Sequence, residues 1–190
     1  MAERGSDGGA SGNAAGNASG EALEGAPDGA RRLTLLRHGR AASPVTGGDD
    51  HERSLVDSGR QDLVATLGLD AVRADLPDRV LCSTARRTVE TAHQVLESLG
   101  LDADRLESDR RLYLASPETI LEIVAEQDAL DVNHLMIVGH NPGLEMLAGE
   151  LDARATSTLP TSGLCRFARR AAPDAPGHPL TRLLFETFPG

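Results

Sequence analysis

The chain has 190 residues, 39% of them hydrophobic, which suits one domain around one ordinary core. A formal net charge of -10, with no basic stripe interleaved with aromatics, argues against a nucleic-acid partner, because the protein's own field repels phosphate backbones. All 19 basic residues are Arg, a compositional bias shared with the abundant Ala, Gly and Asp, so no single arginine is read as functional on its own.

Residues 1–30 are Gly, Ala, Ser, Asn and acids without apolar periodicity, and are expected to form a disordered tail. The domain is expected over residues 31–190. With no Trp, one Tyr and three Phe, its core must be aliphatic. Leu33–Leu36 reads as a short buried strand, followed by a long polar loop. Asp57 or Ser58 is placed to cap a helix running to about Val72, with Leu63, Val64 and Leu67 on one face. Asp78–Ser83 reads as a second strand, and "TARRTVETAHQVLESLG" as a helix closed by Gly100. Ser116-Pro117-Glu118 starts a helix running to about Ala125. His134–His140 is a third strand, and "NPGLEMLAGEL" opens a helix after it. "GLCRFAR" and "TRLLFETF" are two late strands.

Strands alternating with helices predict an α/β domain, a three-layer α/β/α sandwich on a mostly parallel sheet. Cys82 and Cys165 fall in apolar strands and read as buried thiols. No run approaches bilayer length and the N-terminus has no signal-peptide pattern, so the expected location is cytoplasmic, with no membrane partner.

Ligands of such sheets gather beyond the carboxyl ends of the strands. His38 lies just past the first strand, Ser83–Arg87 past the second and His140 past the third. Each alone has a plain structural reading: a surface histidine, an arginine in an ion pair, a turn before a helix. Metal binding fits poorly, since His134 and His140 are six residues apart and no Cys or carboxylate cluster has ligand spacing. Together the three clusters suit phosphoryl transfer, whose charge spreads over three oxygens and needs several fixed donors. Arg37 and Arg87 offer planar forks for phosphate, and His140 a further donor. Gly39 lets the backbone fold tightly behind His38. His38 would be the nucleophile, kept neutral by the flanking arginines. With the arginines neutralising charge, no metal or other cofactor is expected.

The segment "LLRHGRA" resembles the Arg-His-Gly signature of the histidine phosphatase superfamily. "VLCSTARRTVETA" is similar to its second block, a Ser followed four residues later by an essential Arg, a register that selects Arg87 over Arg86. "LMIVGHNPGLEMLAGEL" is similar to the third block, which carries the second histidine, here His140. "RLYLASPETILEIV" and "LPTSGLCRF" resemble the small SixA-like branch, which removes phosphate from phosphohistidine on signalling proteins. The resemblance spans about Arg32 to Phe188. It implies a phosphoglycerate mutase-like fold, a covalent phosphohistidine intermediate on His38, and a phosphate site formed by Arg37, Gly39, Arg87 and His140.

"HERSLVDSG" is similar to the segment after the first block, and places Arg53 as a further phosphate contact, with an ion pair to Asp49, Asp50 or Asp57 as the simpler account. Many superfamily members carry a Glu that protonates the leaving alkoxide. Here that region reads "ESDRRLYLASPET", where Glu107, Asp109 and Glu118 are the candidate acids and none is clearly placed. Imidazole leaves more easily than an alkoxide, so a phosphohistidine substrate tolerates a missing acid. The expected partner is thus a phosphohistidine-bearing protein, which the open site left by short connections also suits. The alternatives are a phosphatase of small phosphate esters and a non-catalytic phosphoprotein-binding module. A mutase is not expected from so short a chain. His51 and His178 are expected to be solvated, His93 to lie on a helix surface, and Ser83 and Thr84 to cap a helix.

Overall fold

A computed structural model of the protein describes residues 30–155, 157–169 and 181–189. The tail expected over residues 1–30 lies outside the described residues except for Ala30, which is buried in the core and is not tail. His178 is likewise outside them.

Strands β1 (Arg31–Arg37), β2 (Arg79–Cys82), β3 (Leu106–Ser108), β4 (His134–Gly139), β5 (Leu164–Arg169) and β6 (Thr181–Thr187) form one sheet in the order β3-β2-β4-β1-β5-β6. The first four run parallel; β5 joins β1, and β6 joins β5, antiparallel. The apolar runs of β1 and β4 do not alternate with polar residues because both faces of the sheet are covered. Leu33, Leu35, Leu135 and Ile137 pack on one face, and Leu36, Met136 and Val138 on the other.

Helices α1 (Asp57–Leu67), α2 (Asp70–Arg73) and α3 (Arg86–Leu99) cover the second of these faces through Leu63, Leu67, Val72, Ala92 and Val95. Helices α4 (Pro117–Ala129) and α5 (Gly143–Leu151) cover the first through Ile120, Ile123, Leu144 and Leu147. The result is the three-layer α/β/α arrangement expected from the alternating pattern, with the late strands added antiparallel. Cys82 and Cys165 are buried free thiols. Among the described residues, no helix is long and apolar enough to cross a membrane.

The helix expected to run unbroken to Val72 stops at Leu67. Gly68 caps it and α2 forms a separate turn. Its N-cap is Val56, without a side-chain bond, so Asp57 sits inside the first turn, where a carboxylate favours the helix dipole. Leu63 and Leu67 are buried, one turn apart, while Val64 is turned about 100° away and is 51% exposed. Helix α4 starts as expected, with Ser116 accepting from the Thr119 amide and Pro117 at the first position, but runs a turn longer. Gly100 closes α3 at φ 66°, a left-handed conformation that suits glycine. His93 is exposed on α3, as expected.

Candidate active site

Strands β2, β4 and β1 are neighbours and parallel, so their carboxyl ends lie side by side. The ladder continues one residue past the strands: the His38 amide donates to the Gly139 carbonyl and the Ser83 amide to the Val138 carbonyl, both at 3.1 Å. His38, Ser83 and His140 are thereby delivered to one edge. Gly39 turns the chain where space is scarce. A Cβ there would lie 2.8 Å from Leu63 Cδ1 and 3.1 Å from the Gly59 carbonyl oxygen. Its amide donates to Thr91 Oγ1 on α3 (3.0 Å), and that hydroxyl donates to the Arg87 carbonyl (2.7 Å). The loop behind His38 is thus clamped to the helix that carries Arg87.

His38 and His140 face each other with ring centroids 5.2 Å apart, and with Arg87 they are nearly sealed, at 8%, 4% and 3% exposure. His38 Nδ1 lies 2.8 Å from the Gly39 carbonyl oxygen. A carbonyl only accepts, so Nδ1 carries the proton and Nε2 keeps its lone pair. The pKa of His38 is lowered to about 4, first by burial, against the pull of the Gly39 hydrogen bond, and further by the charges of Arg87, Arg37 and Arg53. The arginines, expected from the sequence to keep this ring neutral, do contribute; desolvation is the larger cause. His140 Nε2 lies 2.8 Å from Ser83 Oγ, and Arg87 Nη2 approaches Nδ1 at 3.4 Å. An arginine only donates, so His140 accepts at Nδ1 and donates from Nε2. Its pKa is lowered to about 3, by burial first and then by His38 and Arg87. His140 is therefore a neutral donor.

In ring-nitrogen NMR, His38 and His140 are expected to stay neutral at pH 5.5, His38 as the Nδ1–H tautomer and His140 as the Nε2–H tautomer. Midpoints near 6.5 would contradict the site geometry. The unfolded chain takes up protons at these histidines below about pH 6.5, and the folded site refuses them down to about pH 4 at His38 and about pH 3 at His140. Both therefore erode stability as the pH falls through that window.

Arg87 lies on the site side of α3, while its neighbour Arg86 is on the surface, paired with Glu90 at 2.8 Å. The Arg87 fork is held by Asp50, which the sequence marks only as an ion-pair partner for Arg53. Nη1 donates to the Asp50 carbonyl (2.6 Å) and Nη2 to Asp50 Oδ2 (3.0 Å). Tyr113 OH also donates to Oδ2 (3.2 Å), and Arg53 Nη1 to Oδ1 (2.7 Å). The pKa of Asp50 is held at about 2, chiefly by the bond from Arg53, with smaller pulls from Arg87 and Tyr113 opposing desolvation. Arg53 thus makes the ion pair of the simpler account, and its Nε donates to the Ala42 carbonyl at 2.6 Å. Arg37 donates from Nη1 to the Leu159 carbonyl (2.8 Å), leaving its buried Nε without a partner.

Ser83 and Thr84 do more than adjoin a helix. The N-cap of α3 is Ala85, without a side-chain bond, and Thr84 Oγ1 lies 3.1 Å from His51 Nε2. His51 is half-buried, its ring edge-on to Tyr113 at 5.0 Å, so it is not the solvated loop residue expected. Tyr113 stands edge-on to His140 at 5.4 Å. Nothing in the sequence marks Tyr113 beyond its being the one tyrosine. Ser162, at φ 62° in the turn before β5, donates its amide to both the Arg37 and His38 carbonyls at 3.2 Å and braces the strand end.

Residues 33–113 match the histidine phosphatase superfamily (branch 1). A SixA protein from Agrobacterium tumefaciens is 31% identical, with a TM-score of 0.71 over 84% of this chain and 99% of that one. The chain belongs to the histidine phosphatase superfamily. An uncharacterized protein of Mycobacterium tuberculosis (strain H37Rv) is 37% identical over 156 residues, 75% of this chain and 93% of its own length. The protein histidine phosphatase SixA complexed with tungstate shares the fold, at 19% identity and a TM-score of 0.70 over 83% of this chain and 97% of that one.

In this histidine phosphatase superfamily chain the three candidate acids are engaged elsewhere. Glu107 pairs with Arg79 on β2. Asp109 is held by Arg111 at 2.7 Å, which lowers its pKa. Glu118 is exposed at the start of α4, its pKa lowered by a hydrogen bond from Ser116. His134 is remote from the site. It lies at the opposite end of β4 from His140, about 20 Å away at the usual strand rise, bonded to Thr34 Oγ1 at 2.8 Å. No cluster of three or more metal-ligating side chains occurs among the described residues.

Proposed function

We propose that the protein is a metal-independent phosphatase that removes phosphate from phosphohistidine on a protein substrate, through a covalent intermediate on His38. The observation that carries this reading is the His38 Nδ1 contact to the Gly39 carbonyl, which leaves Nε2 as a fixed, neutral nucleophile among donors. Arg37 and Arg87 bind the phosphoryl oxygens and neutralise the charge of the transition state, the work a metal ion would otherwise do. His38 Nε2 forms a bond to phosphorus as the substrate's phosphorus–nitrogen bond breaks, its electron pair going to the departing imidazole. Water then attacks the phosphoryl-His38, releasing inorganic phosphate and restoring the free ring.

Two points favour phosphohistidine over an ester. Glu107 is bonded to Arg79, Asp109 to Arg111 and the exposed Glu118 to Ser116, and none of the three is hydrogen-bonded to His38, Arg87 or His140. The likeness to SixA of Agrobacterium tumefaciens covers 99% of that protein. The non-catalytic reading ranks last, because His38, Arg37, Arg87 and His140 are all present.

His140 faces His38 with ring centroids 5.2 Å apart, and the need for a proton from it depends on the leaving group. His140→Ala is expected to slow an aryl phosphate ester more than a phosphohistidine peptide, compared by kcat/KM. Equal losses would contradict the leaving-group account.

A further inference from the structure

A carboxylate beside a phosphate-binding arginine repels the substrate's phosphoryl group, so its presence calls for a reason. Asp50 is such a group, hydrogen-bonded to Arg87 through both its carbonyl and its side chain. The floor of the site, His38, Arg87 and His140, is buried, whereas the Asp50 side chain is 47% exposed. Asp50 therefore stands at the open side. A nucleophile attacking from the floor drives the leaving group toward that side, in line with the attack. Tyr113 and His51 complete this rim, Tyr113 bonded to Asp50 and edge-on to His140.

Three donors, from Arg53, Arg87 and Tyr113, hold Asp50 ionised. An ionised carboxylate donates no proton to an alkoxide; it accepts a hydrogen bond. A departing imidazole offers one. Its far ring nitrogen carries a proton in the form whose phosphorus–nitrogen bond breaks readily, because that form leaves as neutral imidazole.

We propose that Asp50 accepts the hydrogen bond from the far ring N–H of the substrate's phosphohistidine, and so selects an imidazole leaving group. The inference rests on the phosphohistidine reading above. As the bond between phosphorus and the substrate nitrogen breaks, its electron pair stays on that nitrogen. The far proton remains on the ring, held by Asp50, and the new bond forms to His38 Nε2. The two imidazoles then have matching supports: the Gly39 carbonyl holds the far proton of His38, and Asp50 holds that of the leaving ring.

The test is Asp50→Asn, which removes the charge and keeps the size and the backbone carbonyl. Wild type and variant are assayed by kcat/KM on a phosphohistidine peptide and on an aryl phosphate ester, whose leaving group has no N–H to offer. The loss on phosphohistidine is expected to exceed the loss on the ester by about tenfold or more, the range of one charge-assisted hydrogen bond. Activity on the ester also reports that the variant is folded. Equal losses on both substrates, or no loss on either, would overturn the assignment of Asp50 while leaving the phosphohistidine reading intact. A wild type that cleaves the ester and not phosphohistidine would remove both.

Discussion

His38→Ala is expected to abolish turnover, lowering kcat by at least about a thousandfold on any phosphorylated substrate. The reason is chemical: among the described residues, no other histidine beside His38 offers a free lone pair. His140 Nδ1 takes the approach of Arg87, and its Nε2 carries a proton, so neither nitrogen has a free lone pair. The fold has little stake in the His38 imidazole, since the backbone bond to Gly139 and the Gly39 clamp to Thr91 survive its removal. Rapid acid or base quenching of wild-type turnover gives a second readout. The trapped phosphoryl group should be acid-labile and base-stable, as a phosphorus–nitrogen bond is, and absent from the variant. Turnover persisting in His38→Ala, with an unchanged melting temperature, would end the covalent mechanism.

Arg87→Ala is expected to cost more than about a hundredfold in kcat/KM, about 2.7 kcal/mol of transition-state stabilisation. Two effects add. The fork that meets phosphoryl oxygens is lost, and the Asp50 carboxylate is left beside the phosphoryl group without its buried counter-charge. Arg87→Lys keeps a charge and not the planar fork, so it should recover part of the loss and stay well below wild type. Arg37→Ala should also exceed about a hundredfold, without the second effect, because the Arg37 side chain makes no contact with Asp50 among its hydrogen bonds. Kinetics on one substrate, with thermal unfolding as a control, separate these cases. An Arg87→Ala variant within tenfold of wild type would mean that phosphate binds elsewhere.

Much of the candidate site was legible because strand ends are legible. Apolar runs stop at Arg37, Cys82 and Gly139, and a parallel sheet gathers the residues just beyond its strand ends on one edge. The choice of Arg87 over Arg86 rests on the resemblance to the superfamily's second block; in the structure Arg87 shares a face with Thr91, which clamps Gly39, while Arg86 falls beside Glu90. Asp50 was not legible as a partner of Arg87. It sits in the run "GGDDHER", where composition announces a charged loop and cannot say which carboxylate meets Arg87. A 3-10 turn over Asp50–Glu52, capped by Asp49, decides that. Tyr113 ends a similar short turn, with no periodic pattern to orient it. Strand β3 escaped because three residues at a sheet edge carry too little alternation to register. The break at Gly68 was hidden by apolar residues spaced to suit either one helix or two. Ala30 shows the limit of composition: a small residue at the edge of a polar stretch can belong to the core.

The most direct test of the account is phosphate release from a phosphohistidine-bearing protein, a phosphoserine peptide and a sugar phosphate, compared side by side in chelator-treated buffer. The account predicts clear preference for phosphohistidine, undiminished by the chelator. Preference for either ester would contradict it, and would mean that an acid among Glu107, Asp109 and Glu118 reaches the leaving group after all.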